Sequence, residues 1–133
     1  MIVKDGRLKG RDFCREIQTS DWTESNKRID LVALERDDVI AVEVKVHKWK
    51  EAFKQAFANL FAADFSYVAL HHRHMHSVDL FMFQRAGIGL MEVNGTVETK
   101  LNARRSSFVI AEKRHYVRSV YLERTSNGIA AAT

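Results

Sequence analysis

The segment from residue 28 to residue 63 constrains the fold of this chain more than any other. "RIDLVALER" and "VIAVEVKVH" alternate apolar and polar residues on either side of Asp37 and Asp38. Alternation with a period of two is typical of strands with one buried face, so this segment predicts a β-hairpin with a tight acidic turn. "KWKEAFKQAFANLFAA" follows directly and repeats its apolar residues at helical spacing, which predicts an amphipathic helix.

The remaining segments predict helices and strands around this hairpin. "GRDFCREIQTSDW" has Phe13 and Ile17 four residues apart and predicts a short helix. "FSYVALH" and "GIGLMEV" predict strands, "SVDLFMFQRA" a helix capped by Ser77, and residues 96–110 one or two edge strands. "AEKRHYVRSVYLER" predicts a helix with Val117, Val120 and Tyr121 turned inward. This order predicts an α/β fold with a mixed central sheet flanked by helices.

Composition indicates one domain and excludes several classes of protein. A chain of 133 residues with 46% hydrophobic content predicts a single domain over residues 1–133. The longest apolar stretch is too short to span a bilayer and no leader pattern is present, which predicts a soluble cytoplasmic protein without membrane contact. Cys14 is the only cysteine and cannot form an internal disulfide. The sequence has no Gly-rich phosphate loop, so we expect no nucleotide cofactor.

Positive charge is concentrated near the C-terminus. Residues 104–124 contain six basic and two acidic residues and so carry the whole net charge of +4. A basic segment on a neutral body is typical of nucleic-acid binding, although a solvated helix face gives the same pattern. The candidate phosphate contacts are Lys48, Arg104, Arg105, Lys113, Arg114 and Arg118.

Three charged residues of the hairpin are expected to share one face of the sheet. An even loop centred on Asp37 and Asp38 pairs residues whose numbers add to 75, so Asp30 lies opposite Lys45. Glu43 then projects to the same side, and a plain ion pair between Asp30 and Lys45 is the simplest interpretation. Two carboxylates on a central strand are costly, however, unless a cation joins them. Hard divalent ions bind such oxygens, and a neighbouring lysine can orient a metal-bound water for phosphodiester hydrolysis.

Asp30, followed by "EVK" at residues 43–45 on the second hairpin strand and by a helix containing "KQA", resembles the core of the PD-(D/E)XK nuclease superfamily. The resemblance covers about residues 13–93 and implies a restriction-endonuclease-like fold. It implies a magnesium- or manganese-dependent endonuclease that hydrolyses DNA and leaves 3′-hydroxyl and 5′-phosphate ends. It is also consistent with a homodimer, because a small catalytic domain often needs a second copy to cut two strands.

The resemblance assigns roles residue by residue. Asp30, Glu43 and the backbone carbonyl of Val44 are the implied metal ligands, and Lys45 is implied to position the attacking water. Glu16 is implied as an additional acidic residue, with Glu24 as the second choice. Gln55 matches a helix glutamine that related nucleases carry near the active site, whereas the aromatic residue often found four positions later is replaced by Asn59.

Other interpretations of the sequence stay open. The chain is alternatively a catalytically silent nucleic-acid-binding module of a larger assembly, or a structural α/β protein in which the charged trio forms only an ion pair. "HHRHMH", residues 71–76, contains four histidines that match no common zinc spacing and equally suit contacts with phosphate or water. Trp49 could stack on a base, but its helical spacing favours core packing.

Overall fold

A seven-stranded sheet forms the centre of the chain. The computed structural model describes residues 2–3, 14–18 and 28–132, with the backbone alone for residues 2–3, 14–16, 18 and 127–132. The strands are β1 (Ile2–Val3), β2 (Cys14–Gln18), β3 (Arg28–Glu35), β4 (Asp38–Lys45), β5 (Phe65–His71), β6 (Gly89–Asn94) and β7 (Thr96–Leu101). The helices are α1 (Trp49–Asn59), α2 (Leu80–Ala86) and α3 (Ala111–Ala132), with a 3₁₀ helix at His72–Ser77.

The sheet is mixed and runs in the order β1-β7-β6-β5-β4-β3-β2. Strands β2, β3 and β4 are antiparallel neighbours, whereas β4, β5 and β6 are parallel. Helix α1 connects β4 to β5, as a parallel pair requires. β7 is antiparallel to β6 and parallel to β1. The predicted α/β fold with a mixed sheet flanked by helices is therefore confirmed.

Two helices cover the sheet around β4. Ala52, Ala56 and Leu60 of the α1 region pack with Val68 and Leu70 of β5. Helix α3 contacts β2, β3 and β4, and its Val117 and Tyr121 lie in a cluster with apolar residues of all three strands, with Val120 packed against it. The inward positions predicted for α3 are confirmed. On the other face of the sheet, a third cluster contains Ile40, Val42, Phe65, Tyr67, Ala69 and Met91.

The helix predicted over residues 10–22 is wrong where the structure describes it, because residues 14–18 form strand β2. The four-residue spacing of Phe13 and Ile17 did not mark a helix face. Pairing with β3 and burial of Ile17 beside Val117 outweigh local helix preference here. Phe13 itself lies outside the described residues.

The predicted hairpin is present, but its register differs by two residues. Leu31 pairs with Val42 and Glu35 with Asp38, so the two-residue loop is Arg36 and Asp37. Arg36 adopts a left-handed backbone conformation with φ of 57°. A register shift of two residues preserves the side to which every residue projects. Asp30, Glu43 and Lys45 therefore still project to the same side of the sheet, as predicted. β4 ends at Lys45, which leaves Val46 beyond the strand and 62% exposed.

Two smaller predictions are also corrected. Asp79, not Ser77, caps α2, and its carboxylate accepts hydrogen bonds from the backbone N–H groups of Phe81 (3.1 Å) and Met82 (3.4 Å). Within residues 96–110 there is one strand, β7, and pairing with β1 makes it an inner strand. No helix in the described ranges combines the length and the apolar character needed to cross a membrane.

Candidate active site

The hairpin brings Asp30 and Glu43 together. Extending the register of Leu31 with Val42 by one residue places Asp30 opposite Glu43, where cross-strand neighbours project to the same side. One oxygen of Asp30, Oδ2, accepts a hydrogen bond from the backbone N–H of Val44 at 3.0 Å. Oδ1 lies 3.7 Å from Nε of Arg28. Asp30 therefore contacts the carboxyl group of Glu43, and the alternative interpretation of an ion pair between Asp30 and Lys45 is not what the structure shows.

Glu43 is the buried member of this pair. Its side chain is 1% exposed, and burial, reinforced by the adjacent Asp30 carboxylate, raises its pKa from 4.5 to about 8. A hydrogen bond from Asn59 to the carboxylate acts in the opposite direction. At neutral pH and without a cation, the raised pKa therefore keeps Glu43 largely protonated.

Asn59 is the site residue whose role the sequence did not predict. Its Nδ2 donates to Oε1 of Glu43 at 2.9 Å, and its side chain is 1% exposed. α1 presents Ala52, Ala56 and Asn59 to the sheet, and the amide occupies an otherwise apolar row. That amide at an inward helical position was the available sequence signal, because a buried amide needs a polar partner.

The donor set suits a hard divalent cation. Two carboxylates and a backbone carbonyl are the oxygen ligands that magnesium and manganese prefer, and a cation could take the place of the proton on Glu43. The chemistry of these residues thus fits the implied ion, and Asp30, Glu43 and the carbonyl of Val44 would be its ligands. Lys45 lies on the same side of β4 as Glu43 and is half-buried, without an ion-pair partner among the described residues.

The other residues predicted for the site differ in where the structure places them. They are Glu16, Glu24 and Gln55. Glu16 lies in β2 between Arg15 and Ile17, which pair with Leu31 and Ile29, so its backbone stands beside that of Asp30. Glu24 lies outside the described residues. Gln55 is half-buried on α1, one helical turn before Asn59.

The basic C-terminal residues largely bind other parts of the protein. Arg105 forms a bidentate ion pair with Asp38 at 2.8 and 2.9 Å, and this pair raises the pKa of the guanidinium. Arg114 binds the carboxylate of Asp64, with Nε 2.9 Å from Oδ2, and the backbone carbonyl of Asp37. Arg118 contacts the Asp37 carboxylate at 2.8 Å.

Arg104 also serves an internal role, since it donates to the carbonyls of Gln84 at 2.6 Å and Arg85 at 3.2 Å. Lys113 is half-buried. Lys48 is exposed, directly after β4. Lys48 differs from the other predicted phosphate contacts because it is close in sequence to Glu43. It also has no ion-pair partner in the described structure.

The histidines gather at the end of β5. His71 and His72 have ring centroids 4.5 Å apart, and His74 lies 6.0 Å from His47. Partial desolvation, helped by the neighbouring His72, lowers the pKa of His71. Throughout the described residues, no three His, Cys, Asp or Glu side chains form a group suited to a metal ion. Trp49 packs beside Phe83, with ring centroids 6.0 Å apart, so the core role predicted for it is confirmed.

Comparison with known proteins defines the fold and nothing finer. No protein-family model matches the chain, and no curated protein matches it. One solved structure that it resembles is a protein of unknown function from Silicibacter pomeroyi, with a TM-score of 0.67 and 14% identity. The match covers 92% of this chain and 80% of that protein. At this identity the likeness shows a shared architecture.

Proposed function

We propose that this chain is a divalent-metal-dependent nuclease with a restriction-endonuclease-like fold. The observation that carries the proposal is the buried carboxyl of Glu43 held against Asp30, with Lys45 two residues along the same strand. A carboxyl pair in that position costs free energy that an ordinary structural role would not explain. The hairpin, the α1 crossover and the parallel β5 also follow in the order that the resemblance implies, whereas strand β2 stands where a helix was expected before the hairpin.

Each residue of the site has a separate proposed role. Asp30, Glu43 and the carbonyl of Val44 would hold magnesium or manganese, which supplies positive charge to the phosphate under attack. Asn59 fixes the orientation of the Glu43 carboxylate through its 2.9 Å hydrogen bond. Lys45 would orient the attacking water and balance charge as it develops on the phosphate oxygens. Gln55 and Glu16 would support the water or the ion from α1 and β2.

DNA is the proposed substrate, and the protein is proposed to act in the cytoplasm as a homodimer able to cut both strands. Lys48 lies between β4, which carries Glu43 and Lys45, and α1, and with the exposed lysines of α1 it could contact the phosphates that flank the cleaved bond.

Cleavage of a substrate panel tests the proposal. The panel contains supercoiled plasmid, linear duplex, single strands, a four-way junction and RNA, each with magnesium or manganese. We expect Glu43→Gln to lower cleavage by about a thousandfold or more, because a metal ligand contributes several kcal/mol to the transition state. Glu51→Gln changes an exposed glutamate of α1 and is the matched control. Unchanged cleavage in Glu43→Gln would disprove the assignment.

A nucleic-acid-binding module without activity is the second candidate. It is favoured because no group of three or more His, Cys, Asp or Glu suited to a metal ion occurs among the side chains that the structure describes. This candidate predicts that wild type and Glu43→Gln bind the panel equally well and that neither cuts it.

A further inference from the structure

A small cavity lies away from the carboxyl pair, where the end of α1, the end of α2 and the connection from β7 to α3 meet. Its volume is about 200 Å³. The polar part of its lining consists of Arg85, Arg104, Arg105, Ser106 and Ser107. The polar lining includes no acidic residue, so the cavity presents positive charge and hydroxyl groups.

Two of the three arginines keep their charge uncompensated. Arg105 is neutralised by its bidentate pair with Asp38. Arg104 binds only backbone carbonyls, those of Gln84 and Arg85. Arg85 lies over the ring of Phe81 at 5.7 Å and has no acidic partner within the described part of the chain. Two guanidinium groups beside one cavity repel each other, and an anion between them would relieve that repulsion.

The lining is held in place before any ligand arrives. Gly87 has a φ of 74°, a backbone conformation that favours glycine, and its backbone packs against the Arg104 side chain, since a Cβ there would lie 3.4 Å from it. Oγ of Ser106 donates to the carbonyl of Leu60 at 2.6 Å and accepts from the N–H of Phe108 at 3.1 Å. Ser107 is exposed, and its hydroxyl has no partner in the described structure. A fixed guanidinium and a free hydroxyl are suitable donors to a tetrahedral oxyanion.

We propose that this cavity binds a phosphate group, carried either by a nucleic-acid strand or by a small phosphorylated molecule. Pockets that enclose drug-sized ligands measure ~300–1,000 Å³, so the observed cavity fits a phosphate with little attached to it. The site is separate from Asp30, Glu43 and Lys45, and phosphate binding there does not depend on the nuclease proposal. Leu60, which follows Asn59, connects the two places along the chain.

Calorimetric titration with inorganic phosphate, at constant ionic strength and with a chelator present, tests the proposal. We expect one saturable site in the wild type and a loss of about tenfold or more in affinity in Arg85→Gln, the usual effect of removing a charge-assisted hydrogen bond. Ser107→Ala should weaken binding by about threefold, since a neutral hydrogen bond contributes less. The control is Arg73→Gln, which removes an exposed arginine outside the cavity and should change affinity by less than about twofold.

Absence of saturable binding in the wild type would overturn the proposal. So would an equal loss in Arg85→Gln and Arg73→Gln, which would indicate general charge attraction. Because the titration uses no metal, Glu43→Ala should bind phosphate as the wild type does, and failure here leaves the nuclease test unaffected.

Competition then identifies the source of the phosphate. Displacement of inorganic phosphate by a short oligonucleotide without a terminal phosphate supports a site for the backbone of a strand. Displacement only by a nucleoside monophosphate supports a site for a small phosphorylated molecule. If neither competes, the cavity holds only an inorganic ion and the proposal is wrong.

Discussion

At the scale of single residues, Glu43 links stability to pH and to metal. Its pKa in the folded protein is about 8, above the ordinary value of 4.5, so the folded state binds this proton more tightly than the unfolded state. Without metal, the stabilisation of the folded state by the proton on Glu43 is complete below about pH 4.5 and is lost as the pH rises through about 8. The full change is on the order of 5 kcal/mol.

Denaturation with urea between pH 5 and pH 9 in a chelator checks this dependence. Glu43→Gln should remove the decline above pH 5, whereas the control Glu51→Gln should retain it. Manganese should stabilise the wild type increasingly toward high pH, because the ion replaces the proton. The same pH slope in wild type and Glu43→Gln would contradict the buried position of this carboxyl.

Lys48 provides a second prediction at this scale. It precedes α1 in the left-handed region, with φ of 61° and ψ of 51° and no side-chain cap for the helix. This conformation costs a residue with a Cβ about 1 kcal/mol. Lys48→Gly should therefore raise the free energy of unfolding by about 0.5 kcal/mol, after the entropy cost of glycine.

Lys50→Gly is the matched control, because Lys50 lies inside α1 and glycine there should destabilise by about 1 kcal/mol. Urea denaturation measures both variants. Destabilisation by Lys48→Gly would show that the side chain contributes more than its backbone strain costs.

At the scale of elements, α3 is held to the sheet and to the tip of the hairpin by two arginines whose aspartate partners differ in burial. Arg114 binds Asp64, whose side chain is 10% exposed, whereas Arg118 binds Asp37, whose side chain is 78% exposed. Arg114→Ala should cost about 3 kcal/mol, because it leaves a buried carboxylate with weaker compensation. Arg118→Ala, one turn further along the helix, should cost less than about 1 kcal/mol. Thermal denaturation distinguishes the two, and equal losses would contradict this ranking.

The elements also show what local pattern can predict. The alternation of apolar and polar residues predicted the hairpin and the side of the sheet to which Asp30 and Glu43 project. Neither changes when the pairing register shifts by two residues. The register itself depended on Arg36 adopting a left-handed conformation in the loop, and no local signal distinguished that loop from one centred on Asp37 and Asp38. Strand β2 depended on pairing with β3. The contact of Asn59 with Glu43 joins residues 16 apart and depends on how α1 packs.

At the scale of the whole molecule, the surface charge differs from the charge of the sequence. The basic C-terminal segment accounts for the net charge of +4, yet Arg105, Arg114 and Arg118 are paired with Asp38, Asp64 and Asp37. Lys45, Lys48 and Lys54 have no ion-pair partner in the described structure. Free positive charge therefore lies on β4 and along α1 as well as beside the small cavity, a distribution that composition alone could not predict.

Binding of duplex DNA at several salt concentrations tests this distribution. Each phosphate contact adds close to one unit to the slope of log K against log salt. Lys48→Gln should lower the slope by about one, whereas Arg118→Gln should leave it nearly unchanged. A lower slope in Arg118→Gln and an unchanged slope in Lys48→Gln would indicate that DNA binds to α3. Thermal denaturation followed by circular dichroism should verify that both variants are as stable as the wild type.

Asp64 has a consequence for how the molecule folds and stays folded. Its carboxylate accepts from the N–H of Val39, 25 residues away, and from Arg114, 50 residues away. Contacts across such long loops form only after most of the chain is ordered. Interactions made late act mainly on the rate of unfolding and little on the rate of folding. We therefore expect the contacts of Asp64 to slow unfolding of the native state more than they speed its folding.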